Sequence, residues 1–482
     1  MKKRENYYLN DFPTFIRRIG SKISQNDKLA FFYTCIITFI CHITFFVERW
    51  LNEDDFRYIF GFPTNIGSGR WMNGNILGSK YLLPIVLLVI TMIALGLSSA
   101  LINSMFKIKD KFFVFLISAL LATFPILALG FGYSFMIERY VLGILTATFS
   151  VYITDKYKYG FIFGAFVLAI SLGYYQSYLS IAITLSIFLI LIKGFDDIKI
   201  KKYIEYILRF LIMGILGIIL YLIMVKISCY ITGMQLYNYK GINKIGTLPP
   251  LSKIPWLIIR TYGHFIGFLF GKFFIKPLNY GLCAQLILSI VDCILVLILI
   301  IKSKIYQNKY KFALILFFII ILPLGFNIID FIAYESNISS LNIYQFVFVF
   351  ILPLILMNCL YNANEQQNKL ITSFSMTVLS WVTCISAIML IWHNFVITNI
   401  YYLKINHFYT YTVELTNRIY DRIESIEGFN SETKVLLGNL NGIYNGLRTN
   451  NTFDEIFLYD QGLWHQFIGY YPVPIQSDFK FH

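Results

Sequence analysis

The side chains best suited to chemistry lie in one stretch between the first two long apolar runs. It reads Glu48-Arg49-Trp50-Leu51-Asn52-Glu53-Asp54-Asp55-Phe56-Arg57 and, further on, Gly67-Ser68-Gly69-Arg70-Trp71. Glu53, Asp54 and Asp55 are three consecutive carboxylates beside an apolar run. Crowded like charges disfavour full ionisation, so at least one carboxyl is expected to have a raised pKa, a property that suits a general base. Arg57 and Arg70 offer planar forks that match phosphate oxygens. Acid and arginine together at the lipid headgroup level suit an enzyme that takes a phosphate-linked lipid donor and activates an acceptor hydroxyl. The plainer reading is a solvated loop kept outside by its carboxylates. The juxtamembrane position and the Gly-x-Gly-Arg-Trp turn weigh against it.

Other candidates carry their own plain alternatives. Glu138-Arg139 offers a second acid or a phosphate contact, or else an interfacial ion pair at a helix end. Tyr174, Tyr175 and Gln176 offer aromatic faces and an amide for a sugar, or else belong to an interfacial tyrosine belt. The loop 232–277 carries Lys240, Lys244, Lys253, Arg260, His264, Lys272 and Lys276. Arg260 and His264 stand one turn apart on one helix face, placed to grip a carrier phosphate or simply to snorkel from an interfacial helix. Asp330 and Glu335 sit at another loop edge, as acceptor contacts or as solvated acids. Asp292 falls inside an apolar run, where acids are costly and usually functional; its depth sets it far from the acidic loop. His42 reads as a packed histidine.

The elements that position these residues must be membrane helices. The chain has 482 residues, 57% hydrophobic and 14% charged, with a mean hydropathy of +0.65; soluble domains carry about 25% charge. In lipid, backbone polar groups must be satisfied within helices or closed barrels, and these runs are too long and too uniformly apolar for barrel strands. At about 20 residues per span, the candidates are 29–47, 81–103, 112–130, 140–154, two within 160–192, then 204–231, 278–301, 312–330, 341–360 and 371–398. As one helix 160–192 would be about 50 Å long, so Gly173-Tyr174-Tyr175-Gln176 is expected to break it into a hairpin. That gives about eleven spans.

Charge checks the count. The net charge of +14 falls in short loops (Lys107, Lys109 and Lys111; Lys156 and Lys158; Lys193, Lys199, Lys201 and Lys202; Lys302, Lys304, Lys309 and Lys311; Lys369). The hairpin reading puts all of them on the N-terminal side, as the positive-inside rule expects of the cytoplasm. The location of the charge argues against nucleic acid. The polar, basic tail 1–28 is expected to be cytoplasmic, with no cleavage site after it. The seven cysteines lie in or beside apolar runs and read as small core residues, not as a disulfide or zinc framework. Residues 29–400 form the expected membrane domain. Residues 401–482, with six basic and nine acidic residues, fall outside. A helical pattern from Thr412 to Ile426 followed by Val435-Leu436-Leu437-Gly438 suggests a small extracytoplasmic C-terminal α/β domain.

Asp54-Asp55-x-Arg57 after the first span, Gly69-Arg70-Trp71, Tyr175-Gln176-Ser177-Tyr178 and the closing Leu437-Gly438-Asn439 resemble the bacterial polytopic serotype-converting glucosyltransferases. The resemblance implies an all-α integral membrane protein of the GT-C kind in the bacterial cytoplasmic membrane. It implies inverting transfer of a hexosyl group, typically glucosyl, from an undecaprenyl-phosphate donor to a surface polysaccharide on the extracytoplasmic side, as in O-antigen modification. By carry-over, Asp54 or Asp55 is the loop acid that acts as base or orients the acceptor; which of them is the base stays open, and Glu53 is an extra acid without an assigned role. The group commonly needs no metal and none is inferred, although carboxylates at Glu53 and Asp55 are ligands that suit Mg²⁺ or Mn²⁺. Two rivals remain. A lipid-linked oligosaccharide flippase or transporter would show paired repeats and broken midplane helices, and no internal repeat is evident. A polysaccharide polymerase would favour a large, arginine-rich late outer loop, whereas 232–277 is mostly lysine.

Overall fold

The computed structural model describes residues 20–21, 23–51, 55, 65–73, 82–237, 249–271, 278–332, 334–335, 340–365 and 374–430. Among them every regular element is helical. In chain order they are α1 (Gln25–Glu48), α2 (Pro84–Phe106), α3 (Lys111–Thr123), α4 (Ile126–Phe131), α5 (Ile137–Lys156), α6 (Gly160–Tyr174) and α7 (Leu179–Phe195). There follow α8 (Ile200–Thr232), α9 (Ile254–Leu269), α10 (Asn279–Lys302), α11 (Lys309–Phe326), α12 (Ile329–Ile332), α13 (Val347–Glu365) and α14 (Phe374–Glu424). Ten helices among the described residues are long and apolar enough to cross a bilayer, and α6 is a shorter apolar helix of 15 residues. The expected hairpin is present. Tyr175 is extended, with φ −157° and ψ 118°, and it separates α6 from a 3-10 turn over Gln176–Tyr178 that leads into α7.

Local chemistry sets the helix ends. Ser24 and Asp27 form a reciprocal capping box at the start of α1, satisfying two donors that a helix N-terminus otherwise leaves open. Asp110 accepts from Phe112 N–H and Phe113 N–H at the start of α3, and Asn308 from Lys311 N–H at the start of α11. The third crossing is two helices in line, because extended Phe124 and Pro125 end α3 before α4 begins. Small residues let α5 and α6 approach closely: the Ser171 hydroxyl donates to Gly143 O at 2.8 Å, and a Cβ on Gly143 would stand 2.5 Å from the Tyr178 ring. Where lipid replaces water, close backbone approach of this kind supplies the packing energy that helix association needs.

The two ends of the bundle differ. At one end Asn26 Nδ2 donates to Ile108 O, Asn358 Nδ2 donates to Lys107 O, and the Lys311 ammonium reaches Asp196 O. The Lys clusters lie at this end. The opposite end gathers the segment after α1, the start of α5, the α6–α7 corner, and the residues between α11 and α13. Inside, His42 is fully buried. Its Nε2 must donate to the Ala122 carbonyl at 2.9 Å, so neutral Nδ1 accepts from the Tyr402 hydroxyl at 2.6 Å. One imidazole thereby ties α1, α3 and α14 together, and the packed reading of His42 holds.

The C-terminal α/β domain does not. α14 is 51 residues long, about 77 Å at 1.5 Å per residue, against a hydrocarbon core of about 30 Å. It runs without a break through position 400 to Glu424, and no strand forms among the described residues. The physical reason is an unpunctuated sequence: between Phe374 and Glu427 there is neither Gly nor Pro. Val435–Leu437 and Leu437–Asn439 lie outside the described residues.

Replacing His42 with Leu strands the Ala122 carbonyl and the Tyr402 hydroxyl. The expected cost is about 1–3 kcal/mol, read as a lower midpoint of thermal unfolding in detergent, with turnover per folded molecule unchanged.

Candidate functional site

The segment Asn65–Trp71 is held by its backbone. The Tyr237 N–H donates to Gly67 O at 2.7 Å. Gln176 Nε2 donates to Ser68 O at 2.8 Å and to the Tyr221 hydroxyl at 3.1 Å, while that hydroxyl donates to Gly69 O at 3.0 Å. Gly69 N–H closes the turn onto Ile66 O. Gly69 has φ +74°, a left-handed conformation that costs a Cβ-bearing residue free energy. At Gly67 a Cβ would fall 2.5 Å from the Tyr237 ring, and at Gly173 one would fall 2.6 Å from the Trp71 indole. The glycines of Gly67-Ser68-Gly69-Arg70-Trp71 are there for turn geometry and close approach.

What this held loop presents is Arg70 and Trp71. The Arg70 guanidinium lies 4.6 Å from the centroid of the Tyr175 ring, and no carboxylate pairs with it among the described residues. Its Nε and the Nε1 of Trp71 are both buried without a hydrogen-bond partner among the described residues. A cation–π contact contributes about 0.5–2 kcal/mol, whereas desolvating an ion costs several kcal/mol. The tyrosine face alone does not offset the burial. An oxyanion is the kind of group that would complete it.

Tyr175 is fixed from the other side. Its hydroxyl donates to Asn342 Oδ1 at 2.7 Å, and the Ser177 hydroxyl donates to Asn342 O at 2.8 Å. The Tyr140 and Tyr178 rings meet it at 5.2 and 5.4 Å. Tyr140 belongs to the first turn of α5, which leads back to the acids. Asp55 is fully buried, and its Oδ1 accepts Phe135 N–H at 2.8 Å, five residues before Tyr140. The Ser134 hydroxyl donates to Trp50 O, and Trp50 Nε1 donates to Asn406 Oδ1 on the extension of α14. The last helix thus props the juxtamembrane segment that carries Asp55. Glu138 and Arg139 form a buried ion pair at 3.1 Å, within electrostatic reach of Tyr174. Glu53, Asp54 and Arg57 lie outside the described residues.

A second polar centre sits between α9 and α12. Buried Asp330 pairs with Arg260 Nη2 at 2.7 Å and His264 Nδ1 at 3.2 Å, and it accepts from the Thr261 hydroxyl at 3.2 Å. The i, i+4 spacing does bring Arg260 and His264 together. Their shared partner is a carboxylate of the same chain, so a phosphate there would have to displace a buried ion pair, whose disruption typically costs about 3–5 kcal/mol. The arrangement fastens α9 onto α12. Glu335, the other acid considered at this edge, is exposed.

The structure therefore joins Arg70, Trp71, Tyr175 and Gln176 in one site, with Asp55 and the Glu138–Arg139 pair linked to it through the start of α5. Sequence reading missed Tyr221, Asn342 and Tyr140. Tyr175 and Asn342 are 167 positions apart, and Tyr221 and Gly69 are 152 apart, so no local spacing signals them.

A multi-crossing helical bundle with its arginine, buried acids and tyrosines assembled at one end defines a polytopic membrane enzyme scaffold. The model of the glucosyl transferase GtrII family matches residues 43–350, and the chain belongs to that family. It is a membrane glucosyltransferase. The match spans the acidic segment, the Arg70 loop, the α6–α7 corner and Asp330, and it stops before the last helix. Comparison with curated proteins and with solved structures gives no match.

Gly173→Ala is expected to push the Trp71 indole away and lower glucosyl transfer by about tenfold or more, since misplacements of about 1 Å can cost a hundredfold. Gly214→Ala, where nothing lies within 4 Å of an added Cβ, is the control that leaves turnover unchanged.

Proposed function

We propose that this chain is an inverting glucosyltransferase of the GT-C kind that uses a polyprenyl-phosphate-linked hexose, with undecaprenyl phosphate as carrier. The acceptor is a hydroxyl of a surface polysaccharide on the extracytoplasmic side. The observation that carries the donor reading is the N–H groups of two consecutive residues, Arg70 Nε and Trp71 Nε1, buried without acceptors among the described residues on a loop whose carbonyls from Ile66 to Gly69 are engaged. Buried polar groups are rarely left unpaired, and a phosphate oxygen supplies what a planar guanidinium lacks.

In the reaction an aspartate of the acidic segment, Asp54 or Asp55, takes the proton of the acceptor hydroxyl. The acceptor oxygen attacks the anomeric carbon as the bond from that carbon to the phosphate oxygen breaks. The electron pair leaves with the carrier phosphate, whose added charge Arg70 compensates, and the anomeric configuration inverts. Glu138 and Arg139 are the nearby charged groups assigned to sugar and phosphate contacts, and Arg57, outside the described residues, is assigned the same role from the sequence. The scheme draws on no cofactor. Sidedness is supported by the Lys-rich opposite end, which the positive-inside rule assigns to the cytoplasm together with the N-terminus.

Three measurements test this reading. Arg70→Ala removes a charge-assisted hydrogen bond, about 1.5–3 kcal/mol, and is expected to raise the KM for polyprenyl-phosphate glucose about tenfold to a hundredfold. Asp54→Asn and Asp55→Asn are assayed in cells for the branch sugar on otherwise full-length polysaccharide; full glycosylation by both variants sinks the base assignment, and loss of the whole polymer points to a flippase or polymerase. In a cysteine-free background, Leu251→Cys, at a position 84% exposed, is expected to react with an impermeant maleimide from outside intact cells, while Lys158→Cys reacts only after lysis.

A further inference from the structure

We propose that Tyr221, inside α8 and far in sequence from every motif considered, is a positioning residue for the donor phosphate, acting through Arg70 together with Gln176. The assignment rests on the donor reading above. Three consecutive carbonyls ahead of Arg70, those of Gly67, Ser68 and Gly69, are each captured by a group from elsewhere in the chain. Two of the three captures converge on one node: Gln176 Nε2 bonds both Ser68 O and the Tyr221 hydroxyl, and that hydroxyl bonds Gly69 O. Tyr221 is buried at 4% exposure.

The arrangement separates two jobs. The backbone of the loop is over-determined, while the donors it presents, Arg70 Nε and Trp71 Nε1, have no acceptor among the described residues. A site built to receive an anion needs this division, because a guanidinium fixed before the ligand arrives loses less conformational entropy on binding and is already oriented for the leaving charge. Gln176 was expected to contact the sugar or phosphate; its amide nitrogen is spent on the loop instead. It shapes the site from beneath, and the Tyr175 ring next to it carries the guanidinium.

The experiment uses the full-length enzyme in nanodiscs. Tyr221→Phe and Gln176→Leu are expected to raise the donor KM about tenfold, with acceptor KM unchanged, on the scale of a sub-ångström misplacement. On an Arg70→Ala background Tyr221→Phe is expected to add nothing, because residues acting through one group are not additive. Tyr206→Phe on the same helix, whose hydroxyl donates to Asp155 at the opposite end, leaves the donor KM unchanged. Effects of Tyr221→Phe that multiply with Arg70→Ala, an equal rise in acceptor KM, or the same shift from Tyr206→Phe would each overturn the proposal. Hydrogen–deuterium exchange of residues 65–73 gives a readout that needs no substrate. Faster exchange in Tyr221→Phe and Gln176→Leu supports the positioning role even if the wild-type enzyme ignores polyprenyl-phosphate glucose, an outcome that refutes the donor reading alone. Unchanged exchange refutes the positioning role outright.

Discussion

A guanidinium held partly out of water beside an aromatic ring, with no carboxylate of its own chain against it among the described residues, is the condition around which one end of this molecule is organised. The energy of that placement comes from the loop beneath it, where backbone carbonyls already have donors and the chain has little freedom to swing the arginine back into solvent. Arg260 shows the contrasting solution within the same fold. There the positive charge meets Asp330 directly, and the result is a fastening between α9 and α12. Two arginines in one fold thus differ: Arg260 has a carboxylate built in as its partner, and Arg70 rests on a tyrosine ring with no carboxylate against it among the described residues.

The remaining architecture makes that loop buildable. The α6–α7 corner supplies Tyr175 and Gln176 on consecutive residues, one under the guanidinium and one under the loop. Asn342 holds the corner from the far side, and α8 brings Tyr221 beneath Gly69. The juxtamembrane acid is placed by different means, through Phe135 at the start of α5 and through Trp50, which leans on Asn406 of α14. Long-range hydrogen bonds of this type fix relative positions that helix packing alone would leave to slide.

Much of the scaffold was legible in the residues, for a physical reason. Apolar runs long enough to cross a bilayer admit one backbone solution, so the crossings and the hairpin at Tyr175 could be read from length and charge parity. The packed state of His42 was legible for the same reason: an imidazole inside such a run needs partners from the same bundle. Arg70, Trp71, Tyr175 and Gln176 stood out by type, but their division of labour did not, because it depends on a tyrosine some 150 positions away. The C-terminal region was misread because its acidic composition suggested a new domain. Composition reports solvent exposure, whereas helix continuation is governed by breakers, and none occurs before Gly428.

The brevity of α6 has a geometric corollary. Fifteen residues rise about 22 Å, short of the roughly 30 Å of hydrocarbon that a full crossing must traverse. Either the leaflet thins locally or the corner that α6 delivers sits below the headgroup plane. In both cases the tyrosines there occupy the floor of a dimple. A head group tethered to the membrane by its own tail reaches such a floor by lateral diffusion and a shallow dip, while a freely dissolved sugar would first have to shed its water.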